Sequence, residues 1–255
     1  EIALENRLPM VTLAESAGAN LQYQSELFVE GGRTFANQAK LSAAGIPQIT
    51  VVHGSSTAGG AYVPGLSDYV IMVKDRAKVF LAGPPLVQAA TGEVSNDEEL
   101  GGAQMHYEAT GLNEYIARSD HEAIILARQV VASLNWQTKS GTTSGALLDD
   151  RPPRYSADEL CGVVPVDYRQ PYDAHEVIAR LVDDSEFLAF KSGYGAEIVT
   201  GHAKVFGQPI GIIANQGPIM PEGSVKTAQF IQLCCQSKTP LLFLQNTTGF
   251  MVGKD

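Results

Sequence analysis

The chain has 255 residues, of which 44% are hydrophobic, so it is long enough to bury one large core or two smaller ones. Its 28 acidic and 18 basic residues give a net charge of -10 with no lysine or arginine cluster, which excludes the basic surface that nucleic-acid binding requires. No apolar run reaches the roughly 20 residues that span a bilayer, and the first residues are unlike a signal peptide. We therefore expect a soluble globular protein that binds small molecules or proteins.

The first half of the chain alternates apolar strands with amphipathic helices. A strand "PMVTL", a helix "RTFANQAKLSAAG" and a strand "PQITVV" form a βαβ pattern. Two more strands follow in "DYVIMV" and "KVFLAG". The runs "PPLVQAATGE" and "SDHEAIILARQVVASLNW" then carry the prolines, caps and periodicity of helices. This order predicts an α/β fold.

A polar segment rich in glycine, serine and proline, "QTKSGTTSGALLDDRPPRYS", interrupts this pattern. We therefore divide the chain into an N-terminal domain (1–136), a linker (137–157) and a C-terminal domain (158–255). The second domain is predicted to hold a helix "DAHEVIARLVD", paired strands in "EIVTGHAKVFGQPIGIIAN", a helix "SVKTAQFIQLCCQ" and a buried strand "PLLFLQN".

The two domains share a short repeat. The run "RLPMVTLAESAGA" from Arg7 aligns without a gap with "KTPLLFLQNTTGF" from Lys238, so that Gly18 coincides with Gly249. At the same offset, the counterpart of Gly54 falls beyond the last residue. We therefore expect two related domains, the second of them incomplete, in a sequence that is part of a longer chain.

The cysteines and histidines give no sign of a metal centre. Cys161, Cys234 and Cys235 lack the spacing of a zinc site and the five histidines are scattered, so we expect no structural metal. Two adjacent cysteines in an apolar helical pattern suit a reducing compartment. We expect the three cysteines to serve packing.

The loop "HGSSTAGGAY", residues 53–62, follows a predicted strand but lacks the lysine of a P-loop and the spacing of GxGxxG. A helix that begins after glycines directs unpaired N–H groups and the positive end of its dipole at a ligand. Such a site suits an oxyanion, for example a thioester enolate. Tight packing of helix on sheet is the alternative for Gly59 and Gly60. The nearby "ESAGA" and the repeat's "NTTGF" favour polar pockets at strand ends.

The same loop leaves a serine hydrolase open as an alternative. Ser56 would be its nucleophile and His53 or His106 its base. The GxSxG motif is incomplete, however, because Ala58 stands where its second glycine is needed.

Several long runs closely resemble the carboxyltransferase (β) subunits of biotin-dependent acyl-CoA carboxylases, nearest to the methylcrotonyl-CoA and geranyl-CoA type. They are "GSSTAGGAYVPGLSDYV", "KVFLAGPPLVQAATGE", "ELGGAQMH", "IQLCCQ" and "PLLFLQNTTGFMVG". The resemblance covers almost the whole chain apart from the linker. It implies an α/β, crotonase-like (ClpP/crotonase) fold in two tandem related domains, with the start of the first and the end of the second missing.

The resemblance also implies an activity, the transfer of carbon dioxide from carboxybiotin to the enolate of an acyl-CoA. The expected substrate is 3-methylcrotonyl-CoA, which belongs to leucine catabolism, and geranyl-CoA or another acyl-CoA is the alternative. Biotin, covalently carried by a partner subunit, would be the base, and the substrate would be a coenzyme A thioester. The implied partners are a biotin carboxylase and biotin carboxyl carrier (α) subunit and a homo-oligomer of β subunits, a hexameric core. No nucleic-acid or membrane partner is expected, and the expected compartment is a bacterial cytoplasm or a mitochondrial matrix.

By the same resemblance, the N–H groups of Gly59 and Gly60 would hold the thioester oxygen, which makes these two the expected catalytic residues. The residues expected around the substrate are Thr57, Ala58, Phe80, Gly83, Pro84, Pro85, Thr91, Gly92 and Glu93. Those expected on the biotin side are Asn246, Thr248, Gly249 and Phe250. Glu93 could equally be a solvated helix-end charge. For Phe250 we expect core packing, with a pocket wall as the alternative.

The sequence departs from the methylcrotonyl-CoA pattern in places that leave the substrate open. Ser56 stands where cysteine is common, and "PGLSDYV" stands where "PAMSDE" is usual. The aromatic ring of Phe80 favours a short branched acyl group over a long prenyl chain. Two other functions stay open: a biotin-independent crotonase-type hydratase, isomerase or decarboxylase, and a fragment with a structural role only. We expect the isolated 255 residues to be inactive.

Overall fold

A computed structural model describes residues 1–136, 151–167, 169–246 and 249–253. The chain divides into two compact units, Glu1–Val131 and Ala132–Asp255. The predicted linker lies largely outside the described residues, so the domain bounds stay a prediction. No helix in the described part of the chain is long and apolar enough to cross a membrane.

The helices and strands are numbered in chain order. The α-helices are α1 (Ile2–Asn6), α2 (Gln24–Ala43), α3 (Tyr62–Gly65), α4 (Pro84–Thr91), α5 (Asp97–Gly101), α6 (Ala103–Met105), α7 (Asp120–Ser133), α8 (Leu160–Val163), α9 (Ala174–Ile178) and α10 (Pro221–Ser237). The strands are β1 (Met10–Ser16), β2 (Gln48–Thr57), β3 (Tyr69–Val73), β4 (Lys78–Phe80), β5 (Tyr115–Ala117), β6 (Leu188–Phe190), β7 (Ile198–Val205), β8 (Gln208–Asn215) and β9 (Leu241–Leu244).

The sheet of the first unit is parallel throughout. Its strand order is β1-β2-β3-β5, and β4 pairs with the last residues of β2. Strand β3 is buried along its whole length, and so is the first half of β2. Burial on both faces of a parallel sheet explains their unbroken apolar runs. The predicted βαβ order is present, with α2 between β1 and β2.

The sheet of the second unit is mixed. Strands β6, β7 and β8 are antiparallel, and β9 joins β8 in parallel. The β7–β8 hairpin closes through Phe206 and Gly207, both with positive φ, as a two-residue hairpin turn of type I′ requires. The carboxylate of Asp183 accepts hydrogen bonds from both of their amides, at 2.8 and 2.7 Å. This contact fixes the turn to the body of the unit.

Two expectations about burial in the second unit are corrected. Strand β9 is an edge strand of its sheet, and Phe243 is 50% exposed, so it is not the fully buried strand that its apolar run predicts. Pairing on one side leaves part of an edge strand open to solvent. Of the three cysteines, only Cys234 is buried, whereas Cys161 and Cys235 are exposed. Packing therefore accounts for Cys234 alone.

The repeated segments adopt equivalent local structure. Each begins at the end of a helix, α1 or α10, and continues into a strand that pairs in parallel with its neighbour, β1 with β2 and β9 with β8. The aligned glycines both have positive φ, 93° at Gly18 and 129° at Gly249. The two units therefore share a helix, strand and glycine-turn element.

Candidate functional site

Three strand ends of the first unit meet at one edge of the sheet. Ser16 at the end of β1 is in register with Ser56 of β2, and Thr57 is in register with Phe80 at the end of β4. The carboxyl ends of parallel strands are where open α/β sheets bind ligands. The glycine loops that the sequence singles out therefore lie at a typical ligand-binding edge.

The turn after β2 is short and strained. Ala58 has a φ of 52°, in the left-handed region that costs a residue with a side chain about 1 to 2 kcal/mol. A 3-10 helix, Ala58–Ala61, and the four-residue helix α3 follow. The predicted helical segment thus begins directly after the loop, although it is short, and its action on a ligand stays a prediction. What the turn can offer a ligand is its backbone amides.

Sterics distinguish the two glycines of this turn. A Cβ added at Gly60 would lie 2.8 Å from Cβ of Ser16 and 3.0 Å from its Oγ, so only glycine fits there without a shift. A Cβ added at Gly59 would meet only Cζ of Phe35, at 3.8 Å, which is ordinary contact. Close packing against β1 therefore explains Gly60. It does not explain Gly59, which is exposed.

The "ESAGA" loop lies against the same turn. The hydroxyl of Thr57 donates to the carbonyl of Ser16 at 3.2 Å, and the amide of Gly18 donates to Oγ of Ser16 at 3.2 Å. A Cβ added at Gly18 would approach Oγ1 of Thr57 and Cβ of Ala58 at 3.8 and 3.9 Å. The two glycine loops thus form one continuous surface that is rich in backbone groups.

Helix α2 supports this turn from outside. The rings of Phe35 and Tyr62 meet edge to face with centroids 5.6 Å apart. Nε2 of Gln38 donates to the carbonyl of Val63 at 3.1 Å, and Nε2 of Gln48 donates to the carbonyl of Gln38 at 3.0 Å. These contacts tie α2 to both α3 and the start of β2.

The hydrolase alternative is wrong for this geometry. Ser56 is 1% exposed, and its hydroxyl donates to the carbonyl of Gly60 at 3.0 Å rather than to a histidine. Nδ1 of His53 lies 3.9 Å from a carboxylate oxygen of Glu15. Both ring nitrogens of His106 are engaged elsewhere, by Thr110 and the carbonyl of Val79. The serine therefore has neither an accessible oxygen nor a base.

Phe80 and Gly83 flank the start of α4. A Cβ added at Gly83 would lie 3.4 Å from the Phe80 ring, so this ring packs over the glycine. Gly83 is the N-cap of α4, and Pro84 and Pro85 occupy its first positions, where a missing N–H costs nothing. The sequence prediction of a proline-led helix here is confirmed.

Thr91, Gly92 and Glu93 form the other end of α4. Gly92 ends the helix with a φ of 79°, and Oγ1 of Thr91 donates to the carbonyl of Val87 at 2.9 Å. The amide of Glu93 donates to the same Oγ1 at 3.3 Å. All three residues are exposed. Their contacts are those of a helix C-terminus, and their predicted role beside the substrate stays a prediction.

The predicted biotin-side residues belong to the second unit. Asn246 follows β9, and Thr248 lies outside the described residues. The carbonyl of Gly249 accepts from the amide of Ile219 at 3.0 Å, which pairs the chain around Phe250 with Ile219. Phe250 is 71% exposed, so the expectation of core packing is wrong. The short bridge holds its backbone while its ring stays open to solvent.

Sequence reasoning missed several residues that shape this site. Ser16 closes the packing around Gly60, and Phe35 approaches Gly59 from a separate helix. His106 enters the sequence argument only as a possible base, although it bonds the backbone of β4. The contact of His106 could have been suspected from the run "ELGGAQMH", because paired glycines before a histidine indicate close backbone approach. Among the described residues, no cluster of histidine, cysteine and acidic side chains could hold a metal ion.

Comparison with known proteins defines the family. The carboxyl transferase domain family matches residues 1–255. The protein named "Probable biotin-dependent acyl-coenzyme A carboxylase beta2 subunit" of Mycobacterium tuberculosis is 55% identical over 256 residues, covering 100% of this chain and 48% of that protein. The mitochondrial methylcrotonoyl-CoA carboxylase beta chain of Dictyostelium discoideum is 50% identical, covering 100% of this chain and 43% of that protein.

A solved structure agrees with these relatives. The crystal structure of the transcarboxylase 12S hexamer with hydrolysed methylmalonyl-coenzyme A has a TM-score of 0.90 at 33% identity, over 99% of this chain and 50% of that one. The chain therefore belongs to the carboxyl transferase domain family and has its crotonase-like α/β fold. It spans about half the length of the relatives it matches.

Proposed function

We propose that this chain is part of the carboxyltransferase subunit of a biotin-dependent acyl-CoA carboxylase. Its reaction would move carbon dioxide from carboxybiotin to the enolate of an acyl-CoA. The observation that carries the proposal is a family match over the whole chain, combined with a strained, exposed glycine turn at the ligand-binding edge of a parallel sheet. The 50% identity to the methylcrotonoyl-CoA carboxylase beta chain of Dictyostelium discoideum favours 3-methylcrotonyl-CoA as the substrate.

The turn residues would act on the thioester through their backbone. Amides of Gly59 and Gly60 would donate to the thioester oxygen as negative charge develops on it. Loss of one such donor typically lowers kcat by a factor of about 10² to 10³. Ala58 would hold the turn in its left-handed shape, with Thr57 anchored to Ser16. A preorganised turn needs no rearrangement at the moment of reaction.

The residues around this turn suit a neutral thioester group. The side chains in contact with it are serine, threonine and aromatic residues, such as Ser16, Thr57 and Phe35. When carboxybiotin is bound on its partner subunit, it would supply the carbon dioxide and the base. The chain itself would then need no acidic or basic side chain for proton transfer, and its own task is to bind and orient the acyl group.

The partners follow from the same relatives. The transcarboxylase 12S subunit is described as a hexamer and the core of a multienzyme. We extend this to the full-length protein that contains the present chain, with a hexameric β core and a biotin-carrying α subunit. Asn246, Thr248, Gly249 and Phe250 would face the biotin. The exposure of Phe250 suits a ring that meets a partner rather than a core.

The test is a carboxylation assay on the full-length protein with its biotin-carrying partner. Fixation of labelled bicarbonate would be compared for 3-methylcrotonyl-CoA, geranyl-CoA and propionyl-CoA, with and without avidin. We expect 3-methylcrotonyl-CoA to have the highest kcat/KM and avidin to abolish fixation. Turnover of an acyl-CoA that avidin does not affect would instead establish a biotin-independent crotonase-type enzyme. A complex without any acyl-CoA turnover would support a structural role.

A further inference from the structure

Strand β4 lies directly beside the approach to the Ala58 turn. Its three residues pair in register with the last three residues of β2: Lys78 with Ser55, Val79 with Ser56 and Phe80 with Thr57. Thr57 is the residue that immediately precedes Ala58. Any displacement of β4 is therefore transmitted through ladder hydrogen bonds to the start of the turn.

The opposite side of β4 is held by one segment, residues 97–110, here named the β4 clamp. Lys78 forms an ion pair with Glu98, and its backbone bridges to Gly102 in antiparallel fashion. A Cβ added at Gly101 would lie 2.3 Å from the carbonyl oxygen of Val79 and 2.6 Å from the Phe80 ring. The clamp thus reaches β4 in a backbone-to-backbone approach that only glycine permits.

His106 makes the last contact of the clamp. Its Nε2 lies 2.7 Å from the carbonyl oxygen of Val79, and its Nδ1 lies 2.8 Å from Oγ1 of Thr110. Because a carbonyl only accepts, Nε2 carries the proton and Nδ1 accepts from the threonine hydroxyl. Burial lowers the pKa of His106, which favours this neutral, oriented imidazole.

The local backbone is built to present this histidine. Residues His106–Thr110 form a π-helix, in which the amide of Gly111 donates to the carbonyl of His106 at 2.8 Å. Gly111 ends it with a φ of 63°. Isolated π-helical turns are rare and recur at functional sites. The wider turn brings Thr110 back to the His106 ring.

We propose that His106 is a positioning residue for the Ala58 turn, acting through Val79, β4 and the end of β2. This inference rests on the proposed function and adds a residue whose role is to hold the thioester-binding amides in place. The contacts of His106 serve the backbone of β4 and the π-helix, and it touches no reacting atom.

The test uses two isosteric variants of the full-length protein. His106→Gln keeps an amide nitrogen near the position of Nε2 and so can still donate to Val79. His106→Asn places its amide near Nδ1 and so keeps only the Thr110 side. Deuterium uptake would be measured for peptides covering 55–60 and 78–83, together with acyl-CoA affinity and kcat.

We expect His106→Asn to speed exchange in both peptides and to lower kcat about 10-fold or more, with acyl-CoA affinity within about 3-fold of the parent. His106→Gln should restore both readouts to near the parent values. Equal exchange rates and equal kcat for the two variants would overturn the proposal, because the hydrogen bond to Val79 would then contribute nothing to the position of the turn. The exchange readout needs no turnover, so it separates failure of this inference from failure of the proposed function.

A milder variant covers the case in which His106→Asn does not fold. Thr110→Val removes the hydroxyl that orients the imidazole, at an exposed position, and leaves His106 in place. We expect it to speed exchange in the same two peptides and to lower kcat a few-fold. If it leaves both readouts at the parent values, the positioning role is overturned.

Discussion

Arg7 and Lys238, which the repeat aligns, adopt the same left-handed conformation at the ends of their helices, with φ of 51° and 54°. In each case the amide of the next residue donates to the carbonyl five residues back: Leu8 to Ala3 at 2.9 Å, and Thr239 to Cys234 at 2.8 Å. This is the hydrogen bond of a Schellman motif, which normally places glycine at the left-handed position. Both units thus begin their shared strand with the same strained turn.

Replacing the left-handed lysine by glycine should stabilise the protein. Lys238→Gly removes the Cβ that is unfavourable at this φ and keeps the carbonyl that accepts from Asn135 at 3.2 Å. The free energy of unfolding should rise by about 0.5 to 1 kcal/mol, after the greater entropy that glycine gives the unfolded chain is subtracted. Urea denaturation against the parent measures it. Lys238→Ala is the matched control, since it keeps the Cβ; a gain of the same size from alanine would contradict the explanation.

Gly60→Ala tests the turn that would hold the thioester oxygen. The new methyl group would lie 2.8 Å from Cβ of Ser16, so the turn must move. We expect kcat for acyl-CoA carboxylation to fall by about 10² to 10³ while acyl-CoA affinity changes little. Gly65→Ala is the control, because nothing lies within 4 Å of its added Cβ, and it should leave kcat unchanged.

A second substitution can relieve that clash. Ser16→Gly combined with Gly60→Ala removes the side chain that the new methyl group meets. The kcat of the double variant should therefore be about 10-fold higher than that of Gly60→Ala alone. The two effects would then be strongly non-additive, as expected for residues in contact. Independent, additive losses would show that Gly60 matters for a reason other than its packing against Ser16.

Phe80 is the residue to change for acyl-chain selectivity. Its half-exposed ring packs over Gly83 and Gly101 at the end of β4, in register with Thr57. Phe80→Ala should raise kcat/KM for geranyl-CoA relative to 3-methylcrotonyl-CoA about 10-fold, because it opens space for a longer chain. Leu81→Ala removes an exposed side chain beside it and should leave the ratio unchanged. Equal losses for both substrates after Phe80→Ala would assign the ring to stability alone.

The layout of strands and helices could be predicted from sequence because its signals are local. The βαβ order and the proline-led helix α4 follow from periodicity and from residues within one element. The repeat could be recognised because Gly18 and Gly249 keep their spacing from Arg7 and Lys238. These features depend on residues that are close together along the chain, so they can be read from the sequence alone.

Features that depend on distant contacts could not be predicted in this way. The bond between His106 and Val79 joins residues 27 positions apart. The left-handed φ of Ala58 is imposed by surrounding structure, since alanine has no preference for it. The exposure of Phe250 contradicts its apolar character, because hydrophobicity alone does not show which face of an edge segment is covered.

A buried lysine in the second unit predicts a pH-dependent stability. Lys226 is 1% exposed on α10, and its Nζ donates to the carbonyl of Lys191 at 3.2 Å. Burial lowers the pKa of Lys226 from 10.5 to about 8, with Glu197 opposing and Lys191 adding to this effect. Between these two values the unfolded chain holds a proton that the folded chain has released. Stability from this group therefore rises with pH over that window and is lost as the pH falls through it.

Lys226→Met should remove this dependence. Measured by urea denaturation at pH 7.5, 8.5 and 9.5, the stability of the parent relative to the variant should rise by about 1 kcal/mol per pH unit. Lys204→Met, which replaces an exposed lysine of β7 in the same unit, should show no such trend. A constant difference in stability between the parent and Lys226→Met at all three pH values would contradict this explanation. It would mean that Lys226 keeps its proton when folded and donates to the Lys191 carbonyl as a charged ammonium group.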